Sequence, residues 1–257
     1  MPFTFAHPAA AVPLTRRGLV LSALVVGSMS PDLLYLVHLA PRGTFGHTLP
    51  GLFLFCLPAG LAVLWAFHRL MKPPLLRLFP VPLQERLAPH AGAFAFGPAG
   101  RLARVAASVL IGAVTHQLWD AFTHQGSWGV EVVPGLSERV TVPVLGRVYA
   151  FRIVQHGSTL LGFALLAAWT TRWYRRAPRR PTEPLLRSGV RAGVLAALVV
   201  GAVAFGAAYG LVQAAPQTGM LRVHRFVGHA VVATLAAGLV ELVALGIGWR
   251  LLTAAQR

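Results

Sequence analysis

The sequence is short of acidic residues, lysine, asparagine and cysteine. Of its 257 residues, seven are acidic, one is lysine, one is cysteine and none is asparagine. The single Cys56 has no partner in the chain, which excludes an intramolecular disulfide and a zinc site built on several cysteines. Only two aspartates are present, Asp32 and Asp120, and both stand inside apolar segments, where a charge requires a partner.

Charge of either sign is scarce. Charged residues make up 12% of the chain, against about 25% in soluble domains, while 56% of the residues are hydrophobic and the mean hydropathy is +0.64. These values indicate a polytopic membrane protein. The net charge of +16 comes from arginines spread between apolar blocks. We interpret them as topology signals and expect no nucleic-acid partner.

Six stretches approach the roughly 20 apolar residues that a membrane span requires. They predict an all-α fold, a polytopic transmembrane helical bundle of about six segments that forms one integral membrane domain over residues 1–257. Residues 1–165 are expected to form a motif-bearing helical core, 166–188 an Arg/Pro-rich cytoplasmic connection, and 189–257 two C-terminal transmembrane helices. The predicted segments are Gly18–Ala40, His47–Met71, Leu102–Phe122, Ile153–Trp173, Gly189–Val212 and Phe226–Leu252.

The connections between these segments differ in arginine content. Thr171–Arg191 holds seven arginines and three prolines, and Lys72–Arg101 is also rich in Pro and Arg. The positive-inside rule places both in the cytoplasm. The other connections, at Pro41–Gly46, Thr123–Arg152 and Ala215–Arg225, hold one, three and two arginines and are expected to face outward.

His116, Asp120 and His124 follow one another at intervals of four residues, at the end of the third apolar segment. On a helix, positions i, i+4 and i+8 lie along one face, so two imidazoles and a carboxylate point the same way. This arrangement is typical of a metal site or an acid/base site. The alternative is a buried polar network that only pins helices together.

Other polar residues fall at the same outward-facing level. Asp32 comes late in the first segment, His47 opens the second, and Gln155 and His156 open the fourth. Ionisable groups near membrane depth are costly, so their convergence from four segments favours a metal site over a structural network. Asp32 and His47 could instead be helix caps.

His7 can lie at the same membrane level as these polar residues only if the N-terminal region folds back on itself. A straight span over Gly18–Ala40 would leave His7 on the cytoplasmic side. Pro8 suits the first turn of a helix, and the chain near Arg16 suits a turn. The alternative is therefore an N-terminal helical hairpin, in which two short antiparallel helices bring His7 and Asp32 to one end.

The outward connection after the third segment is long for a loop. It contains the valine-rich stretch Val140-Thr-Val-Pro-Val-Leu145. This composition favours a lid or a small hairpin that covers the site.

Five blocks of sequence resemble one family. They are Met-Pro-Phe-Thr-Phe-Ala-His7-Pro, Gly-Ser-Met-Ser-Pro-Asp32-Leu, Phe45-Gly-His47-Thr-Leu-Pro-Gly, Thr-His116-x3-Asp120-x-Phe-Thr-His124 and Gln155-His156-Gly-Ser-Thr. Over roughly the first 165 residues they resemble an uncharacterised bacterial membrane family, the domain of unknown function 4184 family. The resemblance implies a multi-pass protein of the bacterial inner membrane, and the arginine pattern then predicts a site on the extracytoplasmic side.

More distantly, the order of these blocks is similar to the zinc-dependent phospholipase C and P1 nuclease group and to related membrane-bound metal-dependent hydrolases. The resemblance implies one to three divalent ions, most simply zinc, with manganese or iron as competitors, and it implies Asp120 and Asp32 as catalytic residues. That group has a carboxylate four residues after its last histidine, where this chain has Leu160. The implied metal ligands are His7, Asp32, His47, His116, Asp120, His124 and His156.

The sequence thus predicts an integral membrane metal-dependent hydrolase that acts on an ester or phosphodiester. Membrane lipid is the expected surrounding, and a lipid or lipid-linked phosphate is the expected substrate. The alternative is a non-enzymatic membrane protein, either a metal-stabilised scaffold or a transporter-like protein. A transporter would be expected to place polar residues through the whole membrane depth. The sequence indicates no oligomeric state.

Overall fold

The structure is a computed structural model that describes residues 3–143, 146–182 and 186–255. Met1 and Pro2 of the N-terminal block, residues 144–145 of the valine-rich stretch and residues 183–185 of the Arg/Pro-rich connection lie outside the described residues. The chain is 77% helical with almost no strands. The all-α prediction is therefore confirmed.

The elements follow the apolar blocks of the sequence. Short 3-10 turns lie at Thr4–Ala6, Val12–Arg17, Ser30–Asp32, Phe45–His47 and Ala88–His90. Strands β1 (Arg139–Val142) and β2 (Gly146–Tyr149) form an antiparallel hairpin. The helices are α1 (Pro8–Ala11), α2 (Leu21–Gly27), α3 (Leu33–His38), α4 (Leu49–Leu78), α5 (Val81–Leu87), α6 (Ala99–Ala121), α7 (Trp128–Val132), α8 (Ala150–Arg176), α9 (Ser188–Ala214) and α10 (Gly219–Ala254).

Within the described residues, α4, α6, α9 and α10 are long and apolar enough to cross a membrane. A fifth crossing is formed if α2 and the helical stretch Ser30–His38, bent by 41° at their break, make one broken span. The fourth predicted segment, Ile153–Trp173, is also helical and lies within α8. It is less apolar than the others because Arg152, Gln155 and His156 occupy its first two turns, and its crossing stays a prediction.

The chain folds as two compact units. The first unit comprises Met1–Asp32, Thr44–Leu61 and Phe96–Arg175, and the second comprises Leu33–Gly43, Ala62–Ala95 and Arg176–Arg257. All seven predicted metal ligands lie in the first unit.

Small residues bring α2 and α6 into backbone contact in the first unit. A Cβ atom added at Gly112 would overlap the carbonyl oxygen of Leu24, and one added at Gly27 would overlap the carbonyl oxygen of Val109. Glycine permits such an approach because it has no side chain, as at many interfaces between membrane helices. The contact sets α2 directly beside the face of α6 that carries His116.

The N-terminal helical hairpin is present. Successive helical turns run from Thr4 through α1 to Arg17, Gly18 reverses the chain with φ +78°, and α2 returns. Glycine suits this position because side chains disfavour positive φ. The predicted span over Gly18–Ala40 is not straight, because the break after α2 bends it by 41°.

The start of α4 is fixed by a cap. Thr48 has extended backbone, and its hydroxyl oxygen accepts a hydrogen bond of 3.0 Å from the Gly51 amide, while Pro50 occupies the first turn. Both features are typical of helix N-termini. His47 comes directly before this cap, so the start of the helix positions it.

The valine-rich stretch forms the predicted small hairpin as far as it is described. Arg139 pairs with Tyr149 and Val142 with Gly146 across β1 and β2. The Arg139 guanidinium also lies 4.8 Å from the centre of the Tyr149 ring. This cross-strand pair stabilises the open end of the hairpin.

In the second unit, α9 and α10 pack closely along their length. A Cβ atom at Gly206 would overlap the Thr234 hydroxyl, and one at Gly210 would lie 2.8 Å from the Ala230 Cβ. The close approach of these two long helices therefore depends on glycine, as does the contact of α2 with α6.

The contact between α2 and α6 leads to a stability prediction. Gly112→Ala is expected to destabilise the protein by about 1–3 kcal/mol, the usual cost of overpacking, because backbone atoms cannot move aside cheaply. Gly100→Ala is the matched control, since it changes the same helix at a position with no heavy atom within 4 Å of the added Cβ. Thermal unfolding of detergent-solubilised protein measures both. Equal stability of the two variants would contradict the contact described here.

Candidate metal centre

His116 is the centre of the cluster and is fully buried on α6. Its Nδ1 lies 2.8 Å from the carbonyl oxygen of Ser28. Because a carbonyl can only accept, Nδ1 carries the proton and donates it, and the lone pair of the neutral ring is at Nε2. Nε2 lies 3.2 Å from Asp120 Oδ2 and 3.7 Å from Asp32 Oδ1. A histidine held in this way is oriented as metal-binding histidines are.

Asp120 lies one helical turn after His116 and is 6% exposed. Its two carboxylate oxygens face different histidines. Oδ2 lies 3.2 Å from His116 Nε2 and 3.5 Å from His47 Nε2. Oδ1 lies 3.5 Å from His7 Nε2 and 3.5 Å from His124 Nδ1. Asp120 therefore connects two groups of imidazoles.

Asp32 closes the 3-10 turn that follows α2 and is 4% exposed. Its Oδ1 lies 3.4 Å from His47 Nε2. Its Oδ2 accepts a hydrogen bond of 2.5 Å from the Thr4 hydroxyl. A role as a helix cap alone does not account for these contacts, because the Asp32 side chain is directed into the cluster.

His7 is brought to the cluster by the N-terminal hairpin and is 1% exposed. Its ring stacks on the His116 ring with centroids 3.8 Å apart, and the Trp119 ring meets it edge-on at 5.2 Å. The hairpin thus places His7 against the same helix face that the His-x3-Asp pattern occupies.

His47 is positioned by the backbone of the residue before it. The Gly46 carbonyl accepts hydrogen bonds from Gln117 Nε2 at 2.9 Å and from Cys56 Sγ at 3.2 Å. These two donors come from α6 and α4, so the loop carrying His47 is tied to both helices. The side chain of His47 is 23% exposed, so His47 is accessible at the edge of the cluster.

Several buried polar atoms in this cluster have no hydrogen-bond partner among the described residues. They are both ring nitrogens of His7, Asp32 Oδ1 and Asp120 Oδ1. Burying such atoms unsatisfied costs about 1–3 kcal/mol each. Because three of the four face neighbouring ligand-type atoms at 3.4–3.7 Å, a bound cation would satisfy them.

The spacing of these atoms fits a small divalent cation. Ligand atoms about 2.0–2.2 Å from zinc in a tetrahedral site are roughly 3.3–3.6 Å from one another. The measured separations between imidazole nitrogens and carboxylate oxygens run from 3.2 to 3.7 Å. Two triads have ligand atoms within 4.8 Å of one another, His7–His116–Asp120 and Asp32–His47–His116.

Both triads use His116, and its single available lone pair can bind only one ion. The contacts suggest a division. His47 and His116 lie against both Asp120 Oδ2 and Asp32 Oδ1, whereas His7 faces Asp120 Oδ1. Asp120 would then offer one carboxylate oxygen to each of two ions.

The electrostatics of the histidines outside the helices differ. Burial, together with the neighbouring His116 imidazole, lowers the pKa of His7 to about 3, so His7 is neutral at pH 7 and one of its two ring nitrogens offers a lone pair. Burial also acts to lower the pKa of His47, but the neighbouring Asp120 and Asp32 carboxylates raise it to about 9. A cation bound at His47 would therefore displace a proton.

His124 lies beside the cluster rather than within the two triads. Its Nδ1 is 3.1 Å from the Asp120 backbone carbonyl and 3.3 Å from the Thr123 hydroxyl. Burial lowers its pKa, against the attraction of the Asp120 carboxylate. With a side chain 27% exposed, His124 stands at the rim of the cluster.

His156 is not brought into the cluster. It is exposed on α8, whereas Gln155 before it is buried at 7%. Successive helical residues point in different directions, so only one of the two can be directed toward the other helices of the first unit. Leu160, one turn after His156 and on the same face, is 72% exposed. The position that carries a carboxylate in the resembling group thus lies outside the cluster, together with the last histidine.

Sequence reasoning missed the groups that hold the ligands in place. Thr4 was recognisable in principle, because it is a polar residue one helical turn before His7. Gln117 stood next to His116 as an amide in an apolar segment. Ser28 left no signal in the sequence, because it contributes its backbone carbonyl. Ser158, which accepts a hydrogen bond of 3.0 Å from Trp119 Nε1, links α8 to the wall of the site.

No curated protein and no solved structure gives a significant match to the chain. The family described as Domain of unknown function (DUF4184) matches residues 1–247. The match extends well past the first 165 residues, where the recognisable blocks lie, and includes all of α9 and most of α10. The chain therefore belongs to the DUF4184 family.

Proposed function

We propose that this protein is an integral membrane hydrolase that uses a divalent metal, most simply zinc, to cleave an ester or phosphodiester. The observation that carries the proposal is the set of buried, unsatisfied ligand-type atoms on His7, Asp32 and Asp120. They come from three separate segments and meet around His116. Such a concentration of imidazole and carboxylate is costly near membrane depth and is typical of functional sites.

The residues of the site divide into proposed metal ligands and residues that position those ligands. His116, His47, Asp32 and Asp120 would hold one cation, and His7 with the second oxygen of Asp120 would hold another. Ser28 and Thr4 keep His116 and Asp32 in position through hydrogen bonds. A divalent ion in such a site supplies a deprotonated water at neutral pH and positive charge that offsets the charge developing on the substrate. Asp32 and Asp120 are the proposed catalytic residues.

The rim of the cluster indicates how a substrate would approach. His7 and His116 are buried, whereas the side chains of His47 and His124 are 23% and 27% exposed. His47 lies just before α4, and His124 lies just after α6. The ester and phosphate bonds of a lipid or of a lipid-linked phosphate lie at the level where a membrane span ends. We therefore propose these molecules as the substrate class.

Arginine content supports an orientation for the site. The connections on the side opposite to the cluster carry most of the arginines, including seven in Thr171–Arg191. The positive-inside rule then puts the cluster on the extracytoplasmic side of the bacterial inner membrane.

A metal-binding prediction tests the ligand set. Protein purified with a histidine-free tag is expected to contain zinc or a related divalent ion by elemental mass spectrometry. His116→Ala should abolish binding of the ion assigned to His116, His47, Asp32 and Asp120, and His7→Ala should lower the metal content by removing the ion assigned to His7. His156→Ala should bind as much metal as wild type because the residue is exposed. Loss of metal in His156→Ala would contradict the ligand set, and a metal-free wild type under every growth condition would contradict the function.

A second prediction tests catalysis through a residue that supports a ligand. Removal of such a supporting hydrogen bond typically lowers metal affinity or activity by about 10–100-fold, so we expect that loss for Thr4→Val. Thr15→Val is the matched control, because the Thr15 hydroxyl donates only to the Val12 carbonyl outside the cluster. Hydrolysis of phosphatidylglycerol in nanodiscs, bis(p-nitrophenyl) phosphate and p-nitrophenyl butyrate measures the effect. Bound metal with no turnover that depends on Asp120 would favour the metal-stabilised scaffold.

A third prediction tests the orientation. In a Cys56→Ser background, Gln125→Cys should react with a membrane-impermeant maleimide on intact cells, whereas Gly189→Cys should react only after lysis. Gln125 is exposed and therefore accessible to the reagent. The next residue, Gly126, is less suitable for a cysteine because its φ of +73° disfavours a side chain. Labelling of Gly189→Cys, but not of Gln125→Cys, in intact cells would reverse the orientation.

A further inference from the structure

A second polar feature lies in the second unit, away from the predicted ligands. A cavity of about 270 Å³ opens between the turn after α3 and the first turns of α10. Four basic side chains line it, and the other lining residues are apolar or glycine. The basic residues are Arg42, His224, Arg225 and His229.

The turn that presents Arg42 has an unusual backbone. Leu39 has a φ of +47°, a conformation that bulky residues rarely adopt. The turn is held by hydrogen bonds from the Arg42 amide to the Ala40 carbonyl at 2.7 Å and from His38 Nδ1 to the Arg42 carbonyl at 3.1 Å. Backbone outliers of this kind cluster at binding sites, where neighbouring contacts maintain them.

The α10 side of the cavity is also ordered. His229 is buried at 9% exposure, and its Nδ1 donates to the Arg225 carbonyl at 2.9 Å. Gly228 faces Pro41, and a Cβ atom there would lie 3.5 Å from Pro41 Cγ, an ordinary contact. The floor of the cavity thus combines a fixed imidazole with a residue that has no side chain.

No carboxylate lines the cavity, and within the described ranges neither Arg42 nor Arg225 has an ion-pair partner. Glu241, the acidic residue of α10, lies 16 positions after Arg225, which is about 24 Å along a helix. The positive charge of the two guanidinium groups is therefore not balanced by the protein around them. A site of this composition favours an anion.

The position along α10 identifies the level of the cavity. At 36 residues, α10 is about 54 Å long, well beyond the roughly 30 Å of bilayer hydrocarbon. Its apolar run begins at Phe226, directly after His224 and Arg225. The basic side chains thus stand where the helix leaves the hydrocarbon, at the depth of lipid headgroups.

We propose that this cavity binds a phosphate group, either in the headgroup of an anionic phospholipid or as inorganic phosphate. Planar guanidinium groups bind phosphate oxygens through pairs of charge-assisted hydrogen bonds. The cavity is smaller than the roughly 300–1,000 Å³ of pockets for drug-sized ligands, which suits a small headgroup. The proposed phosphate site shares no residue with the proposed metal ligands. Binding at this site does not depend on the hydrolytic activity proposed above.

Native mass spectrometry of the full-length protein tests the proposal in two arms. One arm titrates phosphatidylglycerol against a glucosyl diacylglycerol that lacks phosphate, and the other titrates inorganic phosphate in maltoside detergent. Wild type is expected to retain phosphatidylglycerol over the glycolipid. The double variant Arg42→Gln/Arg225→Gln is expected to bind at least roughly tenfold more weakly, given the strength of hydrogen bonds to charged groups.

Two further variants separate specific binding from general charge or misfolding. Arg222→Gln removes a neighbouring arginine of α10 that does not line the cavity and should bind as wild type does. Gly228→Leu keeps every charge but fills the cavity, and it should lose binding even if the double variant fails to fold.

The outcomes are distinct. Binding of phosphatidylglycerol alone assigns a lipid headgroup, and competition by inorganic phosphate assigns the phosphate itself. The proposal is overturned if wild type prefers neither phosphate ligand, if Gly228→Leu binds as wild type does, or if Arg222→Gln loses as much affinity as the double variant.

Discussion

The candidate metal centre depends on the close contact of α2 with α6. Glycines at positions 27 and 112 let the two backbones touch, and only then does the carbonyl of Ser28 reach His116 Nδ1. That hydrogen bond determines which nitrogen of the ring faces the carboxylates. If α2 stood one side-chain diameter further away, His116 could rotate, and the i, i+4 pattern on α6 would no longer define a site.

Much of this centre could be predicted from sequence because it is encoded locally. The His-x3-Asp spacing places His116 and Asp120 on one helix face whatever the tertiary structure. Long apolar runs predicted α4, α6, α9 and α10, since span length follows from bilayer thickness. His7 required a further inference, the hairpin, and it succeeded because Pro8 and the chain near Arg16 carry local signals of helix start and turn.

The remaining features depend on contacts that leave no local signature. The choice between Gln155 and His156 depends on the rotation of α8 about its axis, and a weakly amphipathic helix does not specify that rotation in its sequence. Ser28 acts through its backbone, so any residue type there would look the same. The basic cavity joins a turn after α3 to the start of α10, far apart in sequence, and His224 and His229 appear isolated until the fold brings Arg42 beside them.

The shared histidine of the two triads has a consequence for how the centre would fill. A nitrogen lone pair cannot be divided between two ions, so an ion that takes His116 leaves the other position with His7 and one oxygen of Asp120. The two positions would be unequal, and occupancy of one would weaken the other. In the language of linkage this is negative cooperativity. The number of ions bound per protein would then increase gradually over a wide range of free-metal concentration. It would not rise in a single step to a fixed number.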